Sequence, residues 1–377
     1  MRLKTAPTIP YLNDIEYTLN HLPITNIQSS KHMNQSTNPI RVAQIGYGYW
    51  GPNLARNFYQ LPGAELAWLV DANPEALDKA RRLYACQTTT QLTTVLQDQD
   101  VDAVVIATPA RSHYELARTA LLAGKHVFVE KPLAMSIPEA RTLVTLAAEQ
   151  QRILMVGHVF EYNPAVRYIR QAIEQGELGD IFYLYSRRVN LGRVQSDVNA
   201  LWSIAPHDIS IALYLLDQMP EAVSCQGASC LNGQVEDVIF LTLHFPGNVL
   251  CHVHASWLDP SKTREMTVVG SRKMIVYDDV STEGKVRIYD KGAYRKGDPI
   301  YGEFQYKLHS GDIWIPRIDM REPLQEECAH FVECIRTGAQ PQTDGENGLR
   351  VVTVLAAGQR SLDQGGAKVM VADMLTE

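Results

Sequence analysis

The chain has 377 residues, more than one hydrophobic core usually holds, so two domains are expected. Its 45% hydrophobic and 20% charged residues are those of a folded globular protein, and a formal net charge of −7 argues against a nucleic-acid surface. No apolar run approaches the ~20 residues that span a bilayer, so a small molecule or another protein is the expected partner. The six cysteines are spread without CxxC pairing and read as reduced thiols of a cytoplasmic protein.

Residues 1–38 contain Pro7, Pro10 and Pro23 and then the polar run SSKHMNQSTNP, with no sustained helical or strand period. They lack the basic start, apolar block and small-residue cleavage site of a signal peptide. They read as a poorly ordered extension, or as a misassigned start upstream of Met33.

RVAQI (41–45) is a short apolar strand running into Gly46-Tyr47-Gly48-Tyr49-Trp50-Gly51. In PNLARNFYQL, which follows, Leu54, Phe58 and Leu61 recur at helical spacing. Strand, glycine triplet and helix stand in the order a pyrophosphate site needs. Gly46 permits the tight turn, Gly48 lets the backbone approach phosphates, and Gly51 lets helix and strand pack closely. A second strand, ELAWLV, ends in Asp71, about 20 residues on, where an acid binds the ribose hydroxyls and repels a 2′-phosphate. NAD is therefore the expected cofactor, in preference to NADP.

The alternation continues with the strand VDAVVIATP (101–109), the helix SHYELARTALLAG, and the strand HVFVE running into Lys131-Pro132. Next, RILMV leads into GHVFEYNPAV (157–166), which carries His158, Glu161, Tyr162 and Asn163. Ligands of open α/β sheets bind outside the carboxyl ends of the strands. The expected cofactor residues are accordingly Gly46, Gly48, Tyr49, Trp50, Gly51, Asp71, Thr108, Pro109, His113, Glu130, Lys131 and His158. Further along, VIFLTLHF, NVLCHVHASW, EMTVVG and MIVYDD alternate like meander strands. His252 and His254 share a strand face without a third donor, so no metal is expected. The helix EPLQEECAHFVECIRTG reads as a packing element.

At EKP (130–132), placed after GYGYWG and Asp71, the chain resembles the Gfo/Idh/MocA oxidoreductase family, from residue 40 to about residue 368. The resemblance implies an α/β fold in two parts. A Rossmann domain with a doubly wound parallel sheet would occupy 39–158. A second α/β domain with a large, mostly antiparallel open sheet would occupy 159–377, the sheet serving a homodimer or homotetramer. It also implies a cis Lys131–Pro132 bond. The family's acid-x-x-x-His signature falls on Ser203 and His207 in ALWSIAPHDISIALYLL. On one helix these two would share a face, but serine cannot supply the acid's charge. Lys131 is implied to polarise a substrate hydroxyl and His207 to take its proton, with Tyr162, Asn163, Arg187, Asn190 and Ser203 around the substrate.

The stretches 200–216, 255–279 and 343–352 are similar to the branch acting on nucleotide-activated sugars, such as UDP-N-acetylglucosamine 3-dehydrogenases and related 3-ketoreductases. Arg187, Arg188, Arg193, Lys262 and Arg264 are candidate partners for a diphosphate. Oxidation of a free sugar or inositol, and a non-catalytic NAD-binding sensor, stay open as alternatives.

Overall fold

The computed structural model describes residues 38–376 apart from 193, 196, 197, 232, 234 and 296–305. The N-terminal extension to residue 37, and Arg193 among the candidate cations, lie outside the described residues.

The first half alternates strand and helix: β1 (Ile40–Ile45), α1 (Gly51–Gln60), β2 (Ala64–Val70), α2 (Pro74–Arg81), β3 (Gln87–Thr89), α3 (Leu92–Gln97), β4 (Ala103–Ile106), α4 (His113–Leu122), β5 (His126–Glu130), α5 (Ile137–Glu149) and β6 (Leu154–Gly157). All the pairings are parallel, in the order β3-β2-β1-β4-β5-β6. The order reverses beside β1, the switch point where an α/β sheet opens a crevice. The β4 residues AVVI are buried throughout because helices cover both sheet faces. The Lys131–Pro132 bond is cis.

After a 3₁₀ turn at Val159–Tyr162 come α6 (Pro164–Glu174), β7 (Ile181–Val189), α7 (Ala200–Ser203), α8 (Pro206–Leu216), β8 (Ala222–Ala228), β9 (Val238–Phe245), β10 (Val249–Ser256), β11 (Thr263–Gly270), β12 (Met274–Asp278), β13 (Val286–Arg295), β14 (Tyr306–Trp314), α9 (Pro323–Thr337), α10 (Gly345–Asp363), β15 (Val369–Met370) and α11 (Val371–Thr376). The strands form one sheet, β14-β13-β12-β11-β7-β10-β9-β8-β15, antiparallel except where β7 meets β10. Period-2 alternation sorts β7: Leu184, Ser186 and Arg188 face the protein interior, while Tyr183, Tyr185 and Arg187 face outward.

Two packing features bear on the site. Residues 200–216 form two helices, with Pro206 in the first turn of α8 and without the N–H that would continue α7, so Ser203 and His207 do not share one helix. And α9 returns to the first half: Phe331 lies edge-on to Phe58 and Phe128, with ring centroids 6.4 and 5.6 Å away, while Glu322 pairs with Arg56.

Candidate active site

The cofactor end is built from backbone. Gly46 has φ +95°, and a Cβ there would sit 2.5 Å from the Ala107 carbonyl oxygen. A Cβ on Gly51 would come 2.5 Å from the Gly46 carbonyl oxygen, whereas one on Gly48 would meet open space. The turn is thus closed on the protein side and open on the ligand side. The buried Gln44 amide ties it down, donating to the carbonyls of Gly46 (2.8 Å) and Gly51 (2.9 Å). No side chain caps the start of α1, so its first turn is available to an anion.

At the end of β2 the Asp71 carboxylate accepts from the backbone N–H groups of Tyr47 (2.6 Å) and Asn73 (2.8 Å). These bonds fix its direction beside the glycine turn. Trp50 donates its indole N–H to Glu130 at 2.6 Å, and Tyr49 is 86% exposed beside it. Thr108 accepts from Ser112 at 2.8 Å, with Pro109 opening the short turn between them. A glycine turn with room over Gly48, an uncapped helix start and an oriented acid together fit a dinucleotide.

The chemical end is built from side chains. Lys131, half-buried after β5, donates from Nζ to the Ser203 backbone carbonyl at 3.0 Å. Burial lowers its pKa, opposed by the adjacent Glu130, while burial raises Glu130 to about 7. His207 sits in the first turn of α8, its Nδ1 buried without a hydrogen-bond partner among the described residues. Burial pushes its pKa well down, and the charges of Lys131, Arg188 and Arg264 push the same way. Its ring stands edge-on to Phe160 at 5.1 Å, and the Arg188 guanidinium lies 4.4 Å from the centre of the Phe160 ring.

His158 is one residue beyond the Glu130–Gly157 register pair, so it neighbours Lys131 across the sheet edge. Its Nδ1 lies 2.6 Å from Asn347 Oδ1, and its buried Nε2 has no partner among the described residues. Burial lowers its pKa to about 4. Neutral imidazoles and a partly desolvated lysine can accept and polarise a hydroxyl proton.

Residues 40–158 match the family profile described as oxidoreductase family, NAD-binding Rossmann fold, and residues 166–276 match the GFO/IDH/MocA C-terminal domain. The chain belongs to the Gfo/Idh/MocA family. This oxidoreductase is 25% identical over 379 residues to the 2,7-anhydro-N-acetylneuraminate hydratase of Escherichia coli, covering 89% of this chain and 98% of that one. It is 26% identical over 256 residues to the UDP-N-acetylglucosamine 3-dehydrogenase of Acidithiobacillus ferrooxidans, covering 67% and 78%. An oxidoreductase of Streptococcus pneumoniae is 28% identical over 222 residues, a match covering 55% of this chain and 59% of that protein. Among solved structures, an oxidoreductase from Magnetospirillum magnetotacticum superposes with a TM-score of 0.73 at 29% identity, covering 85% and 99%.

Several expected ligand residues of this Gfo/Idh/MocA protein are engaged elsewhere. His113 is buried, its Nδ1 2.8 Å from the Pro132 carbonyl and its Nε2 2.9 Å from that of Thr108. It braces two cofactor-edge loops and has no free nitrogen for a ligand. Tyr162, expected to face a sugar, is fully buried, its hydroxyl 2.9 Å from His330 Nδ1 and 3.3 Å from Thr343 Oγ1. A 3₁₀ turn repeats every three residues, so Tyr162 follows Val159 into the α9 side while Glu161 follows His158.

Asn163 caps α6 and donates to the Tyr277 hydroxyl at 3.0 Å. Arg187 is on the outward face of β7, away from His207, and donates to Thr263 Oγ1 at 3.1 Å. Arg188 faces inward but is committed to Asp208, at 2.5 and 3.4 Å. Ser203 contributes its carbonyl to Lys131, because the break before Pro206 separates it from the helix of His207. Asn190 follows β7 half-buried, its N–H donating to the Ser256 carbonyl at 3.2 Å. Gln44, Asp208 and Asn347 were not picked out as site residues in the sequence. Asn347 reaches His158 from 189 residues away, a separation for which no local pattern is a signal.

Proposed function

We propose that this protein transfers a hydride between NAD and a secondary hydroxyl of a sugar, at C3 of a nucleotide-activated sugar. The observation that carries the reading is the convergence of Lys131, held by the Ser203 carbonyl, with uncharged imidazoles at the carboxyl edge of the first sheet. Bound NAD supplies the hydride acceptor. Lys131 has N–H groups beyond the one given to Ser203, and these donate to the substrate oxygen and orient its carbinol C–H. His207, neutral at working pH, takes the hydroxyl proton as the carbonyl forms. Asp71 accepts from the ribose hydroxyls and repels a 2′-phosphate.

An activated sugar is supported by the match to a UDP-N-acetylglucosamine 3-dehydrogenase and by Arg264, which pairs across the β11–β7 ladder with Arg188 and so shares the inward face with it. Arg264 is half-buried and 3.4 Å from Asp279, and Lys262 is exposed on the preceding loop. A free sugar or polyol is a second reading, favoured by the commitment of Arg188 to Asp208 and the outward turn of Arg187. A screen of UDP-sugars, free sugars and inositols at saturating NAD⁺, followed by NADH absorbance, separates the two. No absorbance change with any of them would overturn both. The outward face carries exposed Tyr183, Tyr185, Phe240 and Leu250, and we assign it to a homodimer or homotetramer contact, which analytical sedimentation would refute by showing a monomer at micromolar concentration.

A further inference from the structure

The chain has a second histidine at the chemical edge, and its surroundings differ from those of His207. Nδ1 of His158 meets the Asn347 amide oxygen at 2.6 Å. The other end of that amide donates to both Glu161 oxygens, at 3.1 and 3.3 Å. An amide oxygen is an acceptor only, so Nδ1 must carry the hydrogen and Nε2 must present its lone pair. Nε2 is buried with no partner among the described residues, on a side chain 1% exposed. Leaving a buried acceptor unmatched is costly, and a substrate hydroxyl beside Lys131 would supply the missing donor.

The charges around the two rings also differ. Lys131 lowers the pKa of both rings, and the guanidinium groups of Arg188 and Arg264 act on His207 besides. Its neighbour in sequence, Asp208, is engaged by Arg188. His158 has the buried Glu161 carboxyl 3.8 Å from Nδ1. The acid missing at position 203 therefore has a counterpart at 161, set beside the other imidazole.

We propose that His158 is a second proton acceptor of this site, with Asn347 and Glu161 as its positioning residues. The inference rests on the hydroxyl-oxidising reading above. The substrate O–H breaks and an Nε2–H bond forms, while the Nδ1–H bond to Asn347 is kept. Burial raises the Glu161 pKa to about 8, so at neutral pH the carboxyl holds a proton. Glu161 lines a cavity of about 280 Å³ together with Arg167, Gln342, Asn347 and Arg350. On protonation of His158 it loses that proton to water in the cavity, so the site gains no net buried charge. The titratable and charged groups facing Glu161 are Asp344 at the N-cap of α10, Arg350 of α10, Glu327 of α9, Arg167 of α6, Tyr214 of α8, and His158 and Tyr162 beside it in the chain.

The first test needs neither substrate nor the correct sugar. Long-range ¹H–¹⁵N correlation on the full chain with labelled histidine, the His158 signal assigned by its loss in His158→Gln, should show the Nδ1–H tautomer with Nε2 unprotonated. An Nε2–H tautomer would overturn the proposal whatever becomes of the substrate assignment. With a turned-over substrate, His158→Gln should lower kcat, and combining it with His207→Ala should lower kcat further than either change alone. Glu161→Gln keeps an acceptor for Asn347 but removes the releasable proton, so kcat should fall about 10–100-fold with KM nearly unchanged. An unchanged kcat, or a fall matched by lost NADH binding, counts against the relay.

Discussion

At the β1–α1 turn the surface offered to a ligand is backbone, shaped by the absence of side chains at Gly46, Gly48 and Gly51. At the ends of β5 and β6 it is side chains, and their protonation is set by burial and by groups from α7, α8 and α10. A glycine site fails by collision, abruptly, because a Cβ 2.5 Å from a carbonyl oxygen cannot be relieved by a rotamer. A site of titrating groups fails by degrees wherever a neighbour can partly replace the group that is lost. The contrast orders the effects expected of single substitutions.

The largest effects belong to groups without a substitute. Lys131→Ala should reduce turnover to near background, since no other cation of the described residues is held against Ser203 at that edge. Comparable kcat in the variant and the parent would remove lysine from the chemistry. Gly51→Val should abolish NADH binding in a fluorescence titration while the fold survives, because the added side chain meets the Gly46 carbonyl at the heart of the turn. Retained affinity would show that the turn is softer than its backbone geometry implies. His207→Ala should cost about 10²-fold, the lower end of a general-base contribution, because His158 stands beside the same hydroxyl. Full activity at every pH would make His207 structural.

The same contrast explains what was legible in the sequence. The parallel sheet, its glycine turn and Asp71 follow from contacts between residues close along the chain, so apolar strands and fixed spacings reveal them. The cation set was less legible. Arg187 and Arg188 are adjacent, and period-2 alternation sends one outward and one inward; only the strand's register decides which. Tyr162 and Glu161 were equally exposed to misreading, since four residues in a 3₁₀ turn follow neither the strand nor the α period. Asn347 could not be found at all, because α10 approaches β6 only through tertiary packing: Val156 donates to the Thr343 carbonyl at 2.7 Å, and Asp344 caps the helix through Asn347 N–H at 2.8 Å.

A smaller effect is expected at Asp71, where charge and backbone geometry meet. The carboxylate is held by two N–H groups of its own chain, so it can discriminate without moving. NADH should bind more tightly than NADPH, and Asp71→Ala should narrow the difference by roughly 1.5–3 kcal/mol of charged hydrogen bonding. Tighter NADPH binding by the unaltered protein would overturn the cofactor assignment.

The smallest effect is one of stability, and it isolates the buried carboxyl behind His158. Glu161 titrates near its ordinary value of 4.5 when unfolded and near 8 when folded, raised chiefly by burial. A folded pKa above the unfolded one means the native state holds the proton more tightly, so its contribution is complete below 4.5 and is lost as pH rises through 8. Glutamine resembles the protonated carboxyl in size and neutrality but does not titrate. Glu161→Gln should therefore be nearly as stable as the parent at pH 5, and should gain on it steadily toward pH 8, by on the order of 1–3 kcal/mol. Glu130, whose folded value is about 7, slopes the same way in both proteins and cancels in the difference, and Glu327, raised well above its usual range chiefly by burial, cancels but for the part of its shift that comes from Glu161. Denaturant melts of the pair at several pH values measure it, and a difference that stays constant from pH 5 to 9 would mean that Glu161 is ionised, or solvated, throughout.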